Sequence, residues 1–192
     1  GFSAYEFSIG GKWLELLKEI APKLTRVGVM FNPDTSPQSQ FFVSAIVAAS
    51  QAFGVQVVAL PVRATVDIEP AIESLSHFQG GLILPTDTFT RIREDIIARL
   101  TAQYRVPAVS SYAQFIDLGG LMFYGPSTVE QMTDQYRQAA TYADRILKGA
   151  KPGDLPIQGV SKFSLFINRK AAAAMGLEIP PRLLFTADRV IE

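Results

Sequence analysis

The sequence predicts an α/β protein built on a doubly wound, mostly parallel sheet. Five short apolar runs, near residues 26–31, 55–60, 82–84, 106–110 and 121–123, alternate with segments whose apolar residues recur at helical spacing. The runs end at prolines or at clusters of Asn, Asp, Ser, Thr and Gly, and the intervals between them are short and regular. Strand, turn, helix, repeated in that way, is the pattern of successive βαβ units.

The elements follow in order. Residues 1–9 read as an aromatic-rich, extended lead-in. Gly10-Gly11 then opens a helix over residues 12–20, with Trp13, Leu16, Leu17 and Ile20 on one face and Pro22 closing it. The first strand, TRVGVMF, halts at Asn32-Pro33-Asp34-Thr35-Ser36. A helix over residues 37–52 follows, with Thr35 or Ser36 as N-cap, Pro37 in its first turn and Gly54 as the C′ residue. Free N–H groups at that helix start are suited to an anionic ligand group.

VQVVAL is the second strand, apolar enough to expect burial on both faces. A short helix over residues 68–75 leads to Gly80-Gly81 and the third strand, which ends in Pro85-Thr86-Asp87. One helix is expected over residues 90–104, with Ile92, Ile96, Ile97 and Leu100 on a face. The fourth strand ends in Ser110-Ser111-Tyr112, and the fifth in Tyr124-Gly125-Pro126. The texture then changes to one long helix over residues 127–148. Its apolar stripe runs through Thr133, Tyr136, Ala140, Ala143 and Ile146-Leu147, and no βα unit is left to cover it. A breaker-rich linker, KPGDLP, precedes an alternating FSLFIN, a short alanine-rich helix ending at Gly176, and a closing apolar segment at residues 183–185.

Composition narrows the function. In 192 residues, 18 basic side chains balance 18 acidic ones with no basic cluster, which argues against nucleic acid as a partner. There is no cysteine, which excludes disulfides and thiolate metal sites, and the single histidine, His77, in a turn context argues against a histidine-based zinc site or catalytic triad. No metal and no cofactor is called for. No apolar run reaches the roughly 18 residues that span a bilayer. The chain begins at Gly1, which suggests that it is cut from something longer.

Parallel strands put the loops at their carboxyl ends on one rim, where open α/β sheets hold ligands. The candidate set is Asn32, Asp34, Thr35, Ser36, Thr86, Asp87, Ser111, Tyr112 and Tyr124. Hydroxyls, an amide, carboxylates and aromatic faces together suit a small zwitterionic or polar molecule with an apolar part. Catalytic equipment is poor, and Asp34 or Asp87 as a general base is the minor, enzymatic alternative. The run Arg91-Ile92-Arg93-Glu94-Asp95 reads as a solvated helix face.

Several stretches, taken in order, carry a resemblance. GGK-x-LELLKEI-x-P, RV-x-V-x-x-NP and PAV-x-x-Y-x-x-F-x-x-x-GGLM-x-YG come first. ADRILKGAKPGDLPIQ, KF-x-LFIN-x-KAA-x-x-MGLEIPP and ADRVIE follow. Together they resemble the ABC-transporter substrate-binding proteins of the tryptophan/tyrosine type across essentially the whole chain. The resemblance implies a two-lobed type 1 periplasmic-binding-protein fold with the first lobe missing here. Residues 1–123 would be the ligand-binding second lobe, 124–156 the crossing helix and linker that pack on lobe one, and 157–192 the returning strand and C-terminal segment.

It further implies an extracytoplasmic, periplasmic-type location and delivery of a small ligand to a permease and an ATPase. The ligand class is an amino acid, aromatic ones included, with its carboxylate at the helix start near Ser36 and its amino group at Thr86 or Asp87. Tyr112 and Tyr124 would supply apolar contact. With half the cleft absent, binding by this chain alone is expected to be weak or nil. The stripe of the helix 127–148 is expected to pair or swap with a second copy. A ligand-sensing domain of a signalling system is the alternative of a different class.

Overall fold

In the computed structural model the described residues are 1, 6–126, 129–159 and 162–192. Among them, β1 (Arg26–Phe31), β2 (Gln56–Pro61), β3 (Gly80–Leu84), β4 (Ala108–Ser110), β5 (Met122–Gly125), β6 (Ser164–Asn168) and β7 (Arg189–Ile191) form one sheet in the order β2-β1-β3-β4-β5-β6-β7. Every neighbouring pair is parallel except β5 with β6, which run antiparallel. The mixed α/β architecture on a mostly parallel sheet is as the sequence predicts. Because β1 lies between β2 and β3, connections diverge there to opposite sides, which makes the β1/β3 gap the topological switch point.

Helices cover the two faces. On one side Met30, Leu82, Leu84 and Ala108 from alternate strand positions meet Ile68, Ile72 and Leu75 of α3 (Ile68–Ser76) and Ile97 and Leu100 of α5 (Glu94–Gln103). On the other side α1 (Ile9–Ile20) packs along α2 (Ser39–Phe53). Their backbones come close because Gly10 has no side chain: a Cβ there would lie 2.7 Å from Ile46 Cγ1. The Trp13 and Phe42 rings seal the same seam at 5.3 Å between centroids. Gly54, at φ +62°, ends α2 in the left-handed conformation expected of a C′ glycine.

Four expectations are corrected. β2 is the sheet edge, with one neighbour, so its residues are half-buried or exposed instead of being buried on both faces. The single helix over residues 90–104 is two, α4 (Thr88–Arg91) and α5. Arg93 (φ −121°) breaks it, its guanidinium donating to the Phe89 carbonyl at 3.0 Å and the Thr65 hydroxyl at 2.9 Å, and this turns Ile92 out to 69% exposure. α2 begins at Ser39 after a turn, with Gln38 in the N-cap position, so neither Thr35 nor Ser36 caps it. The chain closes with α9 (Pro181–Thr186) and β7, a strand that the three residues RVI do not announce.

The chain divides into two units. One, Phe7–Gly125 with Ser164–Glu192, contains the whole sheet, α6 (Gln114–Asp117) and α8 (Arg169–Met175). The other, Gly1–Glu6 with Pro126–Phe163, contains α7 (Val129–Leu147). Residues 127 and 128, at the expected start of the long helix, lie outside the described residues. Within this second unit Gly1 is held by its amine on the Pro156 carbonyl (2.9 Å) and by its own carbonyl, which accepts from Gln158 N–H (2.7 Å). Tyr136 and Leu147 of α7 are 71% and 87% exposed.

Candidate functional site

The carboxyl ends of β1, β3, β4 and β5 sit side by side and point one way, so the loops that follow them share an edge. At the switch point the β1 and β3 loops are stitched together by one carboxylate. Asp87, 2% exposed, caps α4 by accepting from Phe89 N–H (3.0 Å) and Thr90 N–H (3.3 Å). It also accepts from Asn32 N–H (3.0 Å) and the Thr35 hydroxyl (2.8 Å) across the gap. With four donors on two oxygens its acceptor capacity is taken up. A ligand amino group would have to compete with these donors, and so would the role of general base. The geometry gives Asp87 the work of a clamp.

Neighbouring groups are spent in the same way. The Asn32 side chain accepts from Asp34 N–H (2.8 Å) and Thr35 N–H (3.4 Å), an Asx turn that shapes the loop. Ser36, fully buried, shares a hydrogen bond with the Ser39 hydroxyl (2.7 Å) and donates to the Thr86 carbonyl (3.0 Å). Main-chain N–H groups of Ser36, Ser39, Gln40 and Phe41 donate to nearby carbonyls, so the free N–H groups expected at this helix start are largely internally bonded. Asp34 stands apart, exposed and paired with Arg63 at 3.3 Å, which is too open for a buried base.

Further along the edge, the Thr86 hydroxyl reaches toward Ser111 Oγ at 3.5 Å, a long contact that joins the β3 and β4 loops. Thr86, Tyr112 and Tyr124 are half-buried. The Arg91 guanidinium lies 4.9 Å from the centre of the Tyr112 ring. Tyr124 is within β5, and its carbonyl accepts from the Trp13 indole at 2.7 Å. Burial raises its phenol above the ordinary tyrosine value, with Lys12 pulling the other way. Thus Asn32, Thr35, Ser36, Thr86 and Asp87 form one knot, Ser111 and Tyr112 adjoin it, and Asp34 is outside it.

Behind Tyr112 is a carboxyl that the sequence reading leaves on a solvated face. Glu94 is 1% exposed, and burial pushes it up to about 7, against the Ser110 hydrogen bond and the charge of Arg91. Its Oε1 accepts from the Ser110 hydroxyl at 2.6 Å. Among the described residues, no group of three or more His, Cys, Asp or Glu side chains is placed to hold a metal ion.

A family model for ABC transporter substrate binding proteins matches residues 8–191. The chain belongs to that family. Among curated relatives, the tyrosine-binding protein of Clostridioides difficile is 23% identical over 167 residues, covering 87% of this chain and 47% of the relative. Among solved structures, a conserved domain protein from Vibrio cholerae is similar with a TM-score of 0.80 and 23% identity, over 99% of this chain and 62% of that one. The ABC domain in complex with L-Trp from Streptococcus pneumonia follows, with a TM-score of 0.74 and 23% identity over 95% and 60%. The ligand-free, open structure of a substrate binding protein with adhesive properties from Clostridium difficile has a TM-score of 0.69 and 24% identity over 94% and 59%. The chain therefore spans about half the length of the curated relative it matches and about three fifths of the solved ones.

In this substrate-binding family member, the residue that sequence reasoning passes over is Glu94. A signal was present. Glu94, Ile97, Ala98 and Thr101 recur at i, i+3, i+4 and i+7, and all four are buried. Reading the run by its charge alone hides that spacing.

Proposed function

We propose that this chain is part of the solute-binding component of an ABC importer and takes an amino acid, preferentially an aromatic one. The observation that carries the reading is the half-buried trio Thr86, Tyr112 and Tyr124, spread over the ends of three adjacent parallel strands in a member of a substrate-binding family. Two aromatic rings offer flat apolar faces, and the Thr86 hydroxyl offers a polar contact between them and the Asp87 knot. The named relatives support the class: one is a tyrosine-binding protein and another was solved with L-Trp. Binding and release without chemistry fits a rim whose carboxylates are committed to structure.

In this reading the protein works outside the cytoplasm and hands its ligand to a permease driven by an ATPase. The part of the longer relatives that this chain does not cover supplies the opposite wall of the site. The exposed apolar residues of α7 pair with a second copy when the 192-residue chain is alone.

Thermal unfolding of the full-length protein with a panel of single amino acids tests the proposal. Saturating L-tyrosine or L-tryptophan is expected to raise Tm by several degrees, as a ligand that binds only the folded state must. No shift with any amino acid would sink it.

A further inference from the structure

The corner that carries Tyr112 is held from behind by a two-step relay. Tyr112 N–H donates to Ser110 Oγ at 3.0 Å, and the Ser110 hydroxyl donates to Glu94 Oε1 at 2.6 Å. Ser110 is fully buried and its hydroxyl is used in both directions. The relay ends on a carboxyl whose other oxygen, Oε2, is buried with no hydrogen-bond partner among the described residues. A carboxylate with one hydrogen bond and a bare oxygen is expensive to bury, and the neutral acid costs far less.

Charged neighbours offer little relief. Arg91 on α4 is the group whose charge favours ionisation of Glu94. The other charged groups on the elements packed there are Glu69 and Glu73 on α3, Arg93 between α4 and α5, Asp117 on α6, Arg169 and Lys170 on α8, and Asp95 and Arg99 on α5 itself.

We propose that Glu94 is a positioning residue of the ligand rim: as a neutral acid it holds Ser110 and, through it, the Tyr112 main chain, and its ionisation lets that corner open. The consequence for binding rests on the reading of Tyr112 as a ligand contact. The hold on the main chain does not. Opening the corner admits water to the carboxyl, which then ionises at an ordinary value. The closed corner is therefore favoured at low pH and loses that preference as pH rises to neutrality.

Amide hydrogen exchange at Tyr112 in the full-length protein, corrected for the intrinsic rate, tests it from about pH 5 to about pH 8. Wild type is expected to lose protection by roughly tenfold or more over that interval and then level off. Glu94→Gln, which keeps an acceptor for Ser110 and removes the charge, is expected to keep its protection with no pH step. Ser110→Ala is expected to be poorly protected at every pH. Identical profiles for wild type and Glu94→Gln would overturn the proposal. If Glu94→Gln does not fold, Ser110→Ala decides: a pH step that survives in it also overturns the proposal.

Calorimetry with L-tyrosine supplies the second arm. The wild-type Kd should rise several-fold between about pH 6 and about pH 8 and stay flat in Glu94→Gln, and equal rises in both count against the role. Absence of L-tyrosine binding at any pH counts against the importer reading alone, because the exchange profile still judges Glu94.

Discussion

The Thr35 hydroxyl donates to the Asp87 carboxylate at 2.8 Å, joining residues 52 positions apart across the gap between β1 and β3. With Asn32 N–H on the same carboxylate, the loops after β1 and β3 are tied together at the switch point of the sheet. On the proposed reading, ligand contact falls to the β3, β4 and β5 ends.

Asp87→Ala removes the α4 cap and strands buried donors. A loss of about 3 kcal/mol in urea unfolding is expected, the sum of a cap and one or two unsatisfied groups. In the full-length protein, affinity should fall equally for an amino acid and for its analogue without the amino group. A loss confined to the amine-bearing ligand would assign Asp87 to direct contact.

Stability should fall as pH rises through the range set by Glu94. Its folded-state pKa is raised from 4.5 to about 7, so the stabilisation is fully present below the unfolded value. It is lost as pH rises to the folded value, and is level above it. The total is up to about 3 kcal/mol. Urea midpoints across this range should show the slope in wild type and not in Glu94→Gln.

Gly80 is in β3 where a Cβ would lie 2.6 Å from the Leu75 carbonyl oxygen, and that backbone cannot give way as a side chain can. Gly80→Ala is expected to cost about 2 kcal/mol through overpacking, read as a lower Tm with unchanged secondary structure.

Tyr112→Ala and Tyr124→Ala should each weaken L-tyrosine or L-tryptophan binding by roughly tenfold in the full-length protein. Thermal unfolding without ligand should change little for Tyr112→Ala. Retained affinity in both variants would move the site away from this edge.

In sedimentation, the 192-residue chain is expected to self-associate at high concentration, and Leu147→Glu to reduce it. A monomer at every concentration would exclude pairing through α7.

Alternating short apolar runs and helical periodicity made the parallel sheet legible, because both signals are local. The positions of Asn32, Thr86, Asp87 and Tyr112 at strand ends followed from that sheet. What each side chain does there did not follow, because the partners of Asp87 are fixed by which strands become neighbours. β2 looked central from its apolar composition, yet strand order, a property of the whole chain, put it at the edge. The break at Arg93 escaped for a related reason: the Thr65 hydroxyl that holds it comes from a different βα unit.

Trp13, the one tryptophan of this chain, is 1% exposed with its indole N–H on the Tyr124 carbonyl. Nature has thus wired a fluorescent reporter to the back of β5. A molecule that settles on Tyr124 from the front would alter the emission of that indole without any label.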